Sequence, residues 1–248
     1  RRGDEKLIGQ LLRKEPDIDA KLAFVDGLAR IGTPDIINYL QHHIQSPNLG
    51  LKKKAAKAIA DVGGTRAIRL LRILRNDRDI ELRFAVWKAL LKTSPKEYVS
   101  EFSRSAVSWL TPDQLKVLSK DAALPLDILM HLATRGRKEQ RAAAIEELKG
   151  RGNQAATRLL TVFETSDDEE TVKASIAALA SIRGSKSIAT YRTAIKHRFD
   201  LVRAEGYEAL RQYGSKALLD TVLEGLNEKS PLARVKAARA AIALSKKR

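Results

Sequence analysis

Ala20 to Gly32 reads AKLAFVDGLARIG, and Leu51 to Gly63 reads LKKKAAKAIADVG, the same order of apolar, basic, small and glycine positions. The pattern returns as LRFAVWKALLKTS from Leu82 and QRAAAIEELKGRG from Gln140, then as VKASIAALASIRG from Val172, VRAEGYEALRQYG from Val202 and ARVKAARAAIALS from Ala233. Its basic position falls on Lys21, Lys52, Arg83, Arg141, Lys173, Arg203 and Arg234, at intervals of 31, 31, 58, 32, 30 and 31 residues. The long interval leaves room for one degenerate copy. A period of this size describes units too small to bury their own apolar face, which must therefore stack on their neighbours.

Eight such units fill the 248 residues. The spacing predicts a first helix A near 4–15, 34–46, 65–76, 95–109, 125–134, 153–165, 185–197 and 215–228. A second helix B, carrying the signature, is predicted near 18–31, 49–62, 79–92, 112–120, 138–150, 168–182, 200–213 and 231–245. Thr33-Pro34 and Thr111-Pro112 place a capping hydroxyl before a first-turn proline, whose missing N–H costs nothing there. Ser185 and Ser215 each follow a glycine suited to a left-handed helix end. No window alternates with period two over enough residues to argue for a strand.

These residues resemble the HEAT repeat, in the variant first associated with phycobilisome lyases: VRxxAxxALxxIG preceded by a Pro- or Ser-led A helix. LTPDQLKVLSKDAALPLDILMHLATRG, from Leu110 to Gly136, departs from it and is similar to a leucine-rich-variant repeat. The resemblance implies an all-α, right-handed α-solenoid superhelix of about eight HEAT-like helix pairs. It forms a single domain over 1–248, with an irregular repeat at about 95–136. Such a signature speaks for fold and says little about function.

There is no cysteine, which excludes thiolate chemistry, Cys-ligated metals and disulfides. No apolar run approaches the roughly 18 residues that a membrane span needs, and nothing resembles a signal peptide, so a cytoplasmic protein is expected. The chain opens on Arg1-Arg2 without a methionine, as a processed fragment would, which leaves a preceding segment or anchor open.

Charge is the second strong feature: 46 basic against 30 acidic residues, a net +16. Residues 51–92 hold 12 basic and 4 acidic side chains, residues 201–248 hold 10 and 5, and residues 1–50 hold 7 and 7. A field of this sign favours acidic or phosphate-rich partners. The resemblance implies that B helices line the concave face. There Lys53, Lys54 and Lys57 avoid the apolar stripe of their helix, and Lys88 and Lys92 follow one unit later. With Phe84 as an apolar anchor, these are the expected partner-binding residues. Arg66, Arg69, Arg72 and Arg75 recur at every third position opposite Ile68, Leu71 and Leu74, and form a secondary basic row expected to face outward. The repeated second-position Lys/Arg is expected to be structural. Asp17, Asp79 and Glu169 stand four residues before Lys21, Arg83 and Lys173, placed to cap B helices and to pair between units.

Catalytic residues, metal ligands and cofactors are not expected. None of His42, His43, His131 and His197 is followed by glutamate, so the His-Glu pairs with which HEAT-repeat deoxyhypusine hydroxylases hold iron are missing. The acidic run Asp167 to Glu170 sits where carboxylates favour a helix start. Some HEAT-like proteins excise alkylated bases from DNA using aromatics and an aspartate. Trp109 and Asp113 have a fitting spacing, but Leu110-Thr111-Pro112 interrupts the helix between them. The expectation is a non-enzymatic scaffold that binds an acidic protein partner. The alternative is a binder of duplex nucleic-acid backbone, with alkylpurine glycosylase activity as a remote third reading.

Overall fold

The computed structural model describes residues 2–121 and 124–247. Contacts divide the chain into two compact units, Arg1–Phe102 and Ser103–Arg248, and no strand occurs among the described residues. Each unit is a stack of helix pairs, so the all-α, HEAT-like solenoid architecture expected from the repeat is the one observed.

Unit 1 contains α1 (Arg2–Lys14), α2 (Ile18–Ile31), α3 (Ile37–Leu40), α4 (Leu49–Val62), α5 (Gly64–Leu71) and α6 (Ile80–Thr93). The boundary falls inside α7 (Pro95–Trp109). Unit 2 continues with α8 (Pro112–Asp121), α9 (Leu126–Arg135), α10 (Lys138–Gly150), α11 (Ala156–Thr165) and α12 (Glu169–Arg183), then α13 (Ile188–Ala194), α14 (Asp200–Tyr213), α15 (Leu219–Leu223) and α16 (Pro231–Ser245).

B helices stack in sequence order, α2 on α4 on α6 in unit 1 and α8, α10, α12, α14 and α16 in unit 2. They do so because the signature gives each a continuous apolar stripe. On α4, Leu51, Ala55, Ala58 and Ile59 are buried; on α14, Val202, Ala209 and Leu210 are. Trp87 of α6 is fully buried, with its ring 5.2 Å from Phe102 and 6.2 Å from Tyr98 in an edge-on arrangement. Several A helices are less regular than the periodicity predicts. The segments expected as single helices at 34–46, 65–76 and 215–228 break into short α and 3₁₀ turns, such as Pro34–Ile36, α3 and His43–Gln45. Both helix types turn the same apolar residues inward, so periodicity does not separate them.

The caps follow the repeat. Asp17, Asn48 and Asp79 accept from the backbone N–H three residues on, at 2.8, 2.9 and 2.8 Å. Thr111 and Gln114 form a reciprocal capping box, as its sequence suggests, at 3.2 and 3.1 Å. Three expectations need correction. Thr33 makes no cap and instead donates its hydroxyl to buried Glu5. Asp168, not Glu169, caps α12, at 2.9 Å to Thr171 N–H; Glu169 instead accepts from the Leu201 N–H of the next B helix at 3.0 Å. Gly184 takes a positive φ of 50° but with ψ −128°, outside the left-handed helical turn, and Gly214 keeps φ −70°. There glycine serves space, since an added Cβ would lie 2.5 Å from the Leu210 carbonyl oxygen. The expected irregularity of the fourth pair appears as a short α8, 10 residues against 13 in α10 and 15 in α12.

Candidate functional site

The recurring basic residue of the B helices builds a ladder. Arg83 donates to the Asp77 carbonyl of its own A–B turn at 2.7 Å, and the Asp77 carboxylate takes Lys52 from the preceding repeat. Unit 2 repeats the device: Arg203 reaches Glu228 at 2.9 Å and its own turn carbonyl, His197 O, at 2.9 Å. Arg141 reaches Asp168 at 2.8 Å and the Gly136 carbonyl at 2.9 Å. Lys52, Arg141 and Arg203 thus tie one repeat to the next, the structural role expected of them, whereas Lys173 meets Glu170 of its own helix at 3.5 Å. Hydrogen bonds from Thr171, together with Arg141, hold the Asp168 carboxyl below its usual range despite burial.

The expected binding lysines divide into two groups. Lys53 is held by Glu81 at 2.6 Å and Asp79 at 3.0 Å, bonds that raise its pKa. Lys54 is paired with Asp26 of the preceding B helix. Both are therefore largely neutralised within unit 1. Lys57 and Lys92 are exposed and form no ion pair among the described residues, while Phe84 and Lys88 are half-buried on α6. Since α4 packs on α6, these four residues share the surface of two adjacent B helices. In the secondary arginine row, Ile68, Leu71 and Leu74 are buried, while Arg66, Arg69 and Arg72 are exposed. Arg66 donates to Gln41 at 3.2 Å. Arg72 stands 3.8 Å from Glu97 and 6.0 Å from the Tyr98 ring centroid. Arg75 is half-buried and bound to Glu101 at 2.5 Å.

Successive B helices enclose grooves of a repeated design. Between α2 and α4 lies a groove of about 400 Å³ lined by Asp26, Arg30, Lys54, Lys57 and Asp61, with Ala29 and Ala58. Between α14 and α16 the equivalent groove is about 640 Å³, lined by Glu208, Arg211, Lys236, Arg239 and Lys246, with Ile242 and Ala243. The Glu208–Lys236 pair at 3.0 Å occupies the register of Asp26–Lys54. Charge counting over 51–92 drew attention away from this second groove, although its residues follow from aligning the repeats.

The residues of the glycosylase reading differ in exposure. Trp109 is 6% exposed and donates to Ser105 at 3.0 Å, whereas the Asp113 side chain is 95% exposed near Lys116. Burial lowers the pKa of His43, His131 and His197. No three His, Asp or Glu side chains converge as a metal site would among the described residues. Among these residues, no helix is long and apolar enough to cross a membrane.

Residues 5–99 match the family described as HEAT repeats. Among solved structures, the chain is similar to human deoxyhypusine hydroxylase in complex with glycerol, at 17% identity and TM-score 0.41, covering 98% of this chain and 96% of that one. An engineered protein matches at 18% identity and TM-score 0.36, over 99% of this chain and 69% of the other. A designed armadillo repeat protein matches at 16% identity and TM-score 0.30, over 96% and 98%. No curated protein matches the chain.

Proposed function

We propose that this chain, whose residues 5–99 match the HEAT-repeat family, is a non-enzymatic interaction module that holds an acidic segment of a partner protein against its B helices. The observation that carries this reading is the surface shared by α4 and α6. On it, Lys57 and Lys92 are exposed while Phe84 and Lys88 are half-buried, which joins charge attraction to an aromatic anchor. Lys53 and Lys54 support this surface through their ion pairs rather than meeting the partner first. A duplex backbone fits less well. Its uniform negative charge would run against Asp61, exposed near the end of α4.

The test is a salt titration of labelled acidic peptides and of duplex DNA, with wild type beside the Lys57→Glu/Lys92→Glu variant. Peptide affinity should fall by about tenfold or more in the variant, with a shallow salt dependence. Equal peptide affinity in the two proteins overturns the reading. So does duplex binding that falls with salt at a slope near −0.9 per phosphate neutralised and outcompetes the peptide.

A further inference from the structure

We infer that the α14–α16 groove of unit 2 is a separate docking site for an acidic protein segment that presents an aliphatic side chain between carboxylates. The inference shares with the proposal above only the chemistry of the partner, and it rests on different residues.

Charge is the first support. Arg211, Lys236, Arg239 and Lys246 line the groove with a single carboxylate, Glu208. That carboxylate is already matched: Arg211 donates to it at 2.9 and 2.5 Å, and Lys236 at 3.0 Å. Arg239 and Lys246 are exposed and make no ion pair among the described residues. An incoming carboxylate would therefore meet uncompensated cations, on a field that Glu208 does not cancel.

The second support is apolar. Ile242 is 59% exposed and lines this same groove beside Ala243. A large aliphatic side chain left in water among cations gains little from its surroundings, and covering it is favourable in proportion to the area removed from water. A leucine or isoleucine of the partner would satisfy that face, whereas a phosphate backbone offers nothing to it.

The third support is an internal comparison. In the signature, Glu208 stands where Asp26 does, Lys236 where Lys54 does, and Arg239 where Lys57 does. In unit 1 the same positions of the repeat nevertheless carry Ala60 for Ile242, Asp61 for Ala243 and Ala29 for Arg211. One stacking geometry thus supports two surfaces: in unit 1 a groove whose three cations face two carboxylates, and in unit 2 a groove that sets four cations against one carboxylate beside an exposed aliphatic residue. Stacking alone does not require the second combination, since the first groove does without it.

The site is also held in shape before any partner arrives. Glu208 fixes the Arg211 and Lys236 head groups, and Lys247 donates to the Gln212 and Gly214 carbonyls at 3.1 and 2.7 Å, tying the end of α16 to the end of α14. Groups fixed in advance lose less freedom on binding.

The experiment uses the full chain and three fluorescent probes: an acidic peptide with one leucine per helical turn, the same peptide with serine for leucine, and a short DNA duplex. Four proteins are compared: wild type, Ile242→Ser, Arg239→Glu/Lys246→Glu, and the unit 1 variant Lys57→Glu/Lys92→Glu. All substituted side chains are exposed, and circular dichroism melts check that each protein folds. The leucine peptide should lose about tenfold in affinity with either unit 2 variant, and Ile242→Ser should leave the serine peptide within about twofold. Binding that persists in the unit 1 variant and disappears in the unit 2 variants supports this groove even if the unit 1 surface is inactive. Loss confined to the unit 1 variant overturns the groove and leaves the earlier proposal standing. Absence of peptide binding by wild type overturns both, and preference of the groove for the duplex overturns the acidic-protein assignment.

Discussion

Arg203 Nε lies 2.9 Å from Glu228 Oε1, while the main-chain oxygen of the same Glu228 accepts from Arg234 at 2.7 Å. One residue in a turn thus receives the cation of the repeat before it and the cation of its own. Both Arg203 and Glu228 side chains are about 15% exposed or less, so water screens this contact less than an ordinary surface pair. Removing the arginine should cost on the order of 1–3 kcal/mol, because it leaves a shielded carboxylate and two turn carbonyls unmatched. Arg203→Met should show this in urea melts, and Arg203→Lys should recover only part of it, since one ammonium cannot reproduce a planar fork. A full recovery by lysine would show that charge alone matters here.

Glu208 predicts a pH response. Its carboxyl is held at about 2 rather than 4.5, foremost by the hydrogen bond from Arg211. A group whose pKa is depressed on folding stabilises the fold wherever it is ionised in both states. That contribution is complete above about pH 4.5 and disappears as pH falls through about 2. Glu208→Gln should therefore melt below wild type at neutral pH, with the gap closing across that acid window. A gap that stays constant down to about pH 2 would assign the loss to packing instead.

Gln140 is 2% exposed and uses its whole amide. Nε2 donates to the Leu110 and Ala106 carbonyls at 2.6 and 3.1 Å, and Oε1 accepts from the Arg137 N–H at 2.8 Å. It joins the end of α7 to the start of α10. Gln140→Leu keeps the bulk but strands those groups, and should cost on the order of 2–3 kcal/mol by chemical denaturation. Loss of protection at Arg137 N–H in hydrogen exchange should accompany it.

The small-residue position of the B helices separates two outcomes. Ala58 and Ala209 are almost fully buried, at 2% and 1% exposure, so Ala58→Leu or Ala209→Leu should overpack the stack by about 1–3 kcal/mol. Gly27 occupies the same register, yet an added Cβ would only touch Ile8 at 3.6 Å. No close approach occurs there, and Gly27→Ala should stabilise α2 by up to about 1 kcal/mol through helix propensity. Thermal melts of the three variants decide both directions.

Helix positions, capping sites such as Asp17 and Asp79, and the structural role of the repeated cations were legible because all are local or periodic. The pairing of Lys53 with Glu81 and of Lys54 with Asp26 was less so. These partners lie in neighbouring repeats, where charge density along the chain cannot find them. Counting cations over 51–92 therefore overstated the free charge of unit 1. It also passed over Ile242, whose exposure depends on what stands opposite it rather than on its own helix pattern. The 3₁₀ breaks around α3 and α15 were hidden for a different reason, since both helix types bury the same residues.

The ladder has a mechanical consequence. Arg141 to Asp168 and Arg203 to Glu228 each clamp one repeat to the next and to no other. Tension along unit 2 would load these clamps in series, so the weakest fails first while the others stay closed. Extension should then proceed in repeat-sized steps at nearly constant force, and relaxation should refold the clamps in the reverse order. A protein built this way yields like a spring with discrete stops, keeping its remaining repeats folded while it lengthens.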